Sequence, residues 1–460
     1  MSSGDQLVVS YSGIRGIVGT ALTEQVAARF AHAFRQLLTS HGQPARVVIG
    51  NDPRPSSPML KKAALFGLSR SPCELVDIGV TPTGTVQFYL KRVTAGGGLI
   101  ITASHNPIEW NGFKFLIGPD QIVLDGKQTK ELFRLYEACA LDYDPAAPAP
   151  AAQDRQQEAL DQHREAVVQQ VDADLIRGRG FKVVLDSAMG AGSEVTRDLL
   201  QQLGCTVHRI EVERHSEPIA PHLTELCRAV KAERADMGFA QDLDADRLAI
   251  VDDQGVAIGE EYTLAFAVHH LLEKHAKEHP VVVKNSSTSK MIDDAVAKHG
   301  AQLEVTHVGE VNLSKAVIRF EREGRLVFGG EGNGGVIFPA ISHGRDSLIG
   351  IGLVLEFFAR HRASVSAVVA ELPRYHILKE KVEGAPENEI GAALQRVAAS
   401  APDEQISHFD GIRVNYRDGS WAQVRASNTE PIVRIVAEAP SLERVQGIVA
   451  ALQHAVAPQG

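Results

Sequence analysis

VVIGNDPRPSS (47–57), VVLDSAMGAGS (183–193) and VVVKNSSTSK (281–290) share one plan: an aliphatic run of strand character, a polar loop rich in small residues, then a helical pattern. Each continues into a second strand-like run, LVDIGV from Leu75, TVHRIEV from Thr206 and LEVTHVG from Leu303. Each then reaches a third strand that ends in an unusual loop: GLIITASHNP, MGFAQDLDADR and LVFGGEGNGG. From Val47 to Ser104, Val183 to Asp242 and Val281 to Glu331 the intervals are 57, 59 and 50 residues. This regularity predicts three α/β units of one topology, each delivering a loop from a corresponding strand end. In α/β sheets those carboxyl ends are where ligands gather.

The surrounding chain fits this plan. At 460 residues it exceeds one ordinary domain of roughly 150 residues. Hydrophobic residues at 44% and charged residues at 23% are those of a globular chain with a large core. The formal charge of −10 argues against binding nucleic acid through its phosphates, which needs a basic face. No run approaches the 18 or more apolar residues of a membrane span, and the start carries no charged region leading into an apolar one. The expectation is a soluble, cytoplasmic protein, monomer or homodimer, without nucleic-acid or membrane partners. Cys73, Cys139, Cys205 and Cys227 show no CxxC pairing and read as reduced core residues.

Composition marks the boundaries. YDPAAPAPAAQD (143–154) is rich in Ala and Pro without periodicity and reads as an extended linker. Further breaks fall near Gly255 and Gly259 and near Pro373. The predicted domains are 1–150, 151–255, 256–370 and 371–460. In the last, GIRVNYRDGSWAQVRAS reads as two strands joined through Asp418-Gly419, a hairpin signal. The run from Ser441 opens with a capping Ser and sets Val445, Ile448, Val449 and Leu452 on one helical stripe. That makes a smaller α+β domain.

Four loops carry chemistry. In QDLDADR, Asp242, Asp244 and Asp246 alternate with apolar residues, so an extended loop would project three carboxylates to one side. Like charges so close repel unless a hard cation shares them, and oxygen ligands suit Mg²⁺ or Ca²⁺. An EF-hand is excluded because its sixth position, which needs Gly, is Arg247. In TASHNP, Ser104 is flanked by His105, Asn106 and Pro107 just past an apolar strand, on a tight loop with an exposed hydroxyl. No GxSxG elbow surrounds it, so an esterase triad is not indicated. A hydroxyl beside carboxylates and Mg²⁺ suits phosphoryl transfer. GGEGNGG has five glycines around Glu331 and Asn333, letting backbone approach a ligand, and it lacks a P-loop pattern. RASNTEP, followed by Arg434, gathers Arg425, Ser427, Asn428 and Thr429 for a small anion. Arg15 in SGIRG and Lys114 in NGFKF add positive charge.

With these four loops in this order, spread over essentially the whole chain, the sequence resembles the α-D-phosphohexomutase superfamily of phosphoglucomutases, phosphomannomutases and phosphoglucosamine mutases. TASHNP resembles its phosphoserine loop, DLDADR its metal loop, GGEGNGG its sugar loop and RASNTEP its phosphate-binding loop. The resemblance implies three similar mixed-sheet α/β domains and a smaller α+β fourth around a central cleft. It implies an isomerase in which phospho-Ser104, with Asp242, Asp244 and Asp246, binds Mg²⁺ and passes its phosphoryl group to a hexose 1- or 6-phosphate. The hexose 1,6-bisphosphate, which also serves as activator, returns the other group. Arg15, Lys114 and Arg247 then lie near the serine. Lys114 is expected to transfer a proton, which requires a lowered pKa; His105 is a second candidate, with an orienting role. Glu331 and Asn333 would bind ring hydroxyls; Arg425, Ser427, Asn428, Thr429 and Arg434 would grip the idle phosphate.

Two departures stand out. Many members carry Glu-x-Ser-Gly-His where this chain has Glu331-Gly332-Asn333-Gly334-Gly335, a variant that tilts the substrate toward glucosamine phosphate over glucose or mannose phosphate. VGEVN puts Glu310 where some relatives have His. A sugar-phosphate phosphatase and a silent sugar-phosphate sensor are the rival readings, and a hinge is expected near residue 370.

Overall fold

In this computed structural model, which describes residues 7–10, 13–118, 120–382, 395–397, 399, 405–426 and 432–456, each repeated opening becomes a central strand. Arg46–Asn51 lies between Glu74–Val80 and Gly97–Ile101, all parallel, with Trp110–Ile117 antiparallel outside. Lys182–Asp186 takes the same place between Thr206–Arg209 and Met237–Gln241, with Leu248–Val251 antiparallel. Val281–Asn285 sits between Gln302–Thr306 and Val327–Glu331, with Gly335–Ile337 antiparallel. The strand order is therefore the same three times, as the intervals predict. Gly97–Ile101, Met237–Gln241 and Val327–Glu331 are buried at every residue. Strands covered on both faces read as continuous apolar runs, not as alternation.

The first sheet is larger than its repeats. Gly13–Ile17 and Val8–Ser10 extend it beyond Trp110–Ile117, and Ile122–Val123 and Gln153–Asp154 complete eight strands. The last of these corrects the linker expectation. Gln153 and Asp154 pair in parallel with Val76 and Asp77, Tyr143 packs edge-on against Phe66, and Lys62 donates to the Pro145 carbonyl. Ala and Pro lack side-chain polarity but leave the backbone able to dock, so this segment wraps the first domain.

The fourth domain is a five-stranded sheet in the order His376–Val382, Val433–Ala439, Trp421–Ala426, Ile412–Asn415, Gln405–Ser407, antiparallel throughout. The Asp418-Gly419 turn joins Ile412–Asn415 to Trp421–Ala426, with Gly419 at φ +84°. Helix Leu442–Val456 covers it with buried Val445, Ile448, Val449 and Leu452, and Ser441 Oγ accepts from the Arg444 N–H at 3.2 Å. Among the cysteines only Cys205 is buried; all four are free thiols.

A polar node fastens the three α/β domains. His163, 0% exposed on helix Gln156–Gln170, bonds the Thr85 hydroxyl at 2.9 Å and the Asp346 carboxylate at 2.7 Å. Asp346 also caps helix Ser347–His361, accepting from the Leu348 N–H. One histidine from the second domain thus joins a hydroxyl of the first to a carboxylate of the third.

Candidate active site

Ser104 follows strand Gly97–Ile101 in a tight reversal to Trp110–Ile117, with φ +50°. A non-glycine residue pays on the order of 1–2 kcal/mol for that conformation, so the loop has to be held from outside. Arg54, 1% exposed, does this. Its guanidinium donates to the carbonyls of Ser104 (2.9 Å), Asn106 (2.7 Å), Pro107 (2.6 Å) and Trp110 (3.0 Å), and to Asp52 (3.0 Å). Asp52 accepts from Thr102 Oγ1 at 2.7 Å, and that oxygen accepts from the Ser104 N–H at 2.8 Å. Sequence reasoning did not single out Arg54, although its DPRPS setting, a charge in a Pro-flanked loop after a buried strand, carries the signal.

The acidic loop joins strands Met237–Gln241 and Leu248–Val251. It is a turn, not the extended stretch expected: the Ala245 N–H donates to the Asp242 carbonyl at 3.0 Å, and Ala245 has φ +53°. The turn, rather than strand alternation, brings the carboxylates together. One oxygen from each of Asp242, Asp244 and Asp246 lies within 4.8 Å of the others, and all three side chains are 0–1% exposed. Asp244 Oδ1 and Asp246 Oδ1 are buried without a hydrogen-bond partner. Burial, then the charges of Asp246 and Asp244, push the Asp242 carboxyl well above the usual carboxylate range. Crowded carboxylates with orphaned oxygens are a donor set for a hard divalent cation.

The serine and the acids meet. Ser104 Oγ donates to Asp242 Oδ2 at 3.1 Å, across 138 positions of sequence. Lys114 Nζ donates to Asp244 at 2.7 Å and to Asp246 at 2.9 Å; Thr83 Oγ1 donates to Asp244 at 2.9 Å. This corrects the expectation of a lowered lysine pKa. Burial does favour the neutral amine, but Asp244 and Asp246 outweigh it and hold the Lys114 ammonium above its usual range. His105 goes the other way: burial, with Arg247 and Arg15 nearby, holds its ring neutral. Its Nδ1 accepts from Arg247 at 3.0 Å and lies 3.5 Å from Ser104 Oγ. Arg247 also bonds Glu217 at 3.0 Å, and Arg15 donates to Asn106 at 2.9 Å.

Arg345, another residue missed in the sequence, ties this cluster to the glycine-rich loop. It donates to Asp246 (2.8 Å), Glu331 (2.9 Å) and Glu310 (3.2 Å). Glu310 also accepts from Gln87 of the first domain at 3.2 Å. The departure at 310 is thereby accounted for: an acid there anchors an arginine. Glu331 accepts further bonds from Asn285 (2.9 Å) and Asn333 (3.1 Å), so the two polar residues of the glycine-rich loop hold each other. The signal for Arg345 was its place in SHGRDS, a polar run entering an apolar helix.

The fourth loop lies mostly beyond view: Ser427, Asn428 and Thr429 are outside the described residues. Arg425 and Arg434 are directly opposite on adjacent antiparallel strands. The domain that carries them meets the third through Arg413, 2.5 Å from the Ser286 carbonyl, and through Lys379, 2.9 Å from the Gly332 carbonyl.

Comparison with known proteins extends over the whole arrangement. Four family models match: phosphoglucomutase/phosphomannomutase α/β/α domain I at 7–140, domain II at 161–255, domain III at 259–375 and the C-terminal domain at 379–455. A "Phosphoglucomutase/phosphomannomutase" of Thermococcus kodakarensis is 35% identical, over 94% of this chain and 95% of the relative. A "Probable phosphoglucosamine mutase" of Methanopyrus kandleri is 34% identical, over 95% and 94%. A crystal structure of a phosphoglucomutase/phosphomannomutase family protein from Burkholderia thailandensis superposes with a TM-score of 0.81 at 24% identity, covering 97% of this chain and 96% of that one. Among the described residues no helix is long and apolar enough to cross a membrane.

Proposed function

Because the chain belongs to the phosphoglucomutase/phosphomannomutase family and is a phosphohexomutase, we propose that it interconverts hexose 6-phosphate and hexose 1-phosphate through phospho-Ser104, with glucosamine phosphate preferred. The observation that carries this reading is the Ser104 hydroxyl at 3.1 Å from Asp242, inside a buried acidic cluster that Arg345 connects to Glu331. Phospho-Ser104 loses its phosphoryl group to the free hydroxyl of the sugar phosphate: the serine O–P bond breaks, a sugar O–P bond forms, and the proton given up by the sugar hydroxyl is balanced by one taken up at Ser104 Oγ. The bisphosphate turns over and the opposite phosphoryl group returns to Ser104, so phosphate is conserved.

Asp242, Asp244 and Asp246, with an oxygen of phospho-Ser104, would hold Mg²⁺, which would offset charge on the phosphoryl oxygens. Lys114 and Arg247 flank the acids as fixed positive charge, and Arg54 sets the pose of the serine loop. Arg425 and Arg434 hold the phosphate that is not reacting. Arginines directly opposite on one sheet face can grip one phosphate between their guanidinium forks. The glucosamine preference rests on the Glu331-Gly332-Asn333 variant and on the phosphoglucosamine description of the 34%-identical relative. A cytoplasmic setting fits four free cysteines.

The test compares kcat/KM for glucosamine, glucose and mannose phosphates with the matching 1,6-bisphosphate present, while inorganic phosphate is measured in parallel. The expected result is isomer formation without stoichiometric phosphate release, fastest for the amino sugar, and none with Ser104→Ala. Phosphate release matching substrate loss would make the protein a phosphatase. Glucose and mannose phosphates turning over at near-equal rates, with the amino sugar poor, would overturn the substrate assignment alone.

A further inference from the structure

Helix Glu261–Lys274 carries His269 and Glu273 at i and i+4, on one face. Helix Met291–His299 packs beside it and ends at His299. Oxygen of Glu273 and ring nitrogens of His269 and His299 all lie within 4.8 Å of one another. His269 is 7% exposed. His299 Nε2 is likewise buried without a partner. A third helix, Ser347–His361, contributes His361, whose Nε2 donates to Glu273 at 2.9 Å.

Buried polar atoms are normally hydrogen-bonded, so an idle His299 Nε2 beside a second imidazole and a carboxylate needs an explanation. Burial, reinforced by Lys298 and the neighbouring histidine, lowers the His269 pKa to about 4, and His299 is shifted down as well. A neutral imidazole offers a lone pair to a metal. Tetrahedral zinc with bonds of roughly 2.0–2.1 Å places its ligand atoms about 3.4 Å apart, which small side-chain rotations reach from here. Ligating carboxylates are themselves hydrogen-bonded from outside, and His361 supplies such a bond to Glu273. Lys298 contributes an opposing charge from the exposed end of its helix.

We propose that His269, Glu273 and His299 form a binding site for a zinc-class divalent cation in the third domain, with His361 as the positioning residue for Glu273. Its nitrogen ligands separate it from the all-carboxylate loop at 242–246, which favours a hard cation. A bound ion would tie the ends of helices Glu261–Lys274 and Met291–His299 together.

The experiment uses the full chain, stripped with a chelator and returned to saturating Mg²⁺ so that the aspartate loop is filled. Zinc chloride is then titrated, retained metal is counted by mass spectrometry, and cobalt is substituted to read nitrogen ligation in the visible spectrum. The expected result is one zinc per chain, kept by an Asp242→Asn/Asp244→Asn variant. Glu273→Gln and His299→Gln, which alter exposed and half-buried side chains, should each weaken binding at least about tenfold, and His361→Gln about tenfold. Circular dichroism verifies that each variant is folded. Zinc retained at wild-type affinity by the Glu273 and His299 variants, zinc lost with the aspartate variant, or no zinc retained under Mg²⁺ would each overturn the proposal.

Discussion

Replacing Arg345 by Met tests whether the cation cluster and the sugar loop work as one unit. The guanidinium, 8% exposed, makes three charge-assisted bonds, to Asp246, Glu331 and Glu310. Removing one partner of a buried ion pair costs about 3–5 kcal/mol, because a charge is left uncompensated. Here each acid keeps something: Asp246 has Lys114, Glu331 has Asn285 and Asn333, and Glu310 has Gln87. The loss should therefore sit near the lower end, about 3 kcal/mol in chemical denaturation monitored by fluorescence. Catalysis should fall more broadly. Asp246 and Glu331 both lose a fixed orientation, and removal of one preorganised charged donor costs about 10²–10³ in rate.

The decisive comparison is Arg345→Lys. A lysine keeps the positive charge but, as a point donor on a flexible stem, it cannot reach three acceptors in a planar fork. If geometry is what Arg345 supplies, the lysine variant regains part of the stability and remains at least about tenfold down in kcat/KM. Steady-state assays of both variants, with sugar-phosphate binding measured by calorimetry, read this out. Full activity in the Met variant, or complete rescue by Lys, would refute the coupling between the two loops.

Other consequences follow from the same geometry. The folded Asp242 binds a proton that the unfolded chain releases, so its contribution to stability falls as pH rises from the ordinary carboxylate value through its raised one. The stabilisation by Mg²⁺ should therefore grow with pH across that window in thermal scans, and lose that growth in Asp242→Asn; a pH-independent increment contradicts the argument. Arg54→Lys should lower kcat by roughly 10–100-fold with KM little changed, since the serine loop loses the fork that holds four of its carbonyls. An unaltered kcat would show that the loop holds its own shape. His163→Ala should cost about 1–3 kcal/mol, because it leaves Asp346 Oδ2 and the Thr85 hydroxyl buried without this partner at a junction of three domains. Urea unfolding checks this, and an unshifted midpoint would mean that the domains are fastened elsewhere.

Much of the fold was legible because buried parallel strands leave an unmistakable trace: VVIG, VVLD and VVVK are apolar on both faces, and their spacing repeats. The acids were legible for the same reason, since DLDAD interrupts two buried strands. What escaped were residues whose role depends on distant partners. Arg54 and Arg345 look like any loop arginine until the fold sets carbonyls or acids within 3 Å of them. The Lys114 expectation failed on a related point. Burial alone argues for a lowered pKa, and only tertiary contact shows that two carboxylates reverse the sign. Chain pairing misled the linker reading, because backbone hydrogen bonds at 153–154 need no particular side chain.

The charge distribution explains why such a cluster is stable and still receptive. Asp242, Asp244 and Asp246 have Lys114, Arg247 and Arg345 within ion-pair distance, so part of their charge is already offset. A phosphate on Ser104 brings roughly −1.5 to −2 charge. Added by itself beside Asp242 it would be repelled; added with a divalent cation the pair is nearly neutral again. The aspartates therefore do not act as a free-standing chelator. Lys114, Arg247 and Arg345 weaken their pull on a cation, and a phosphate on Ser104 would restore it. On this reasoning the metal is held most firmly when the serine carries the group to be transferred, which is also when its charge has work to do.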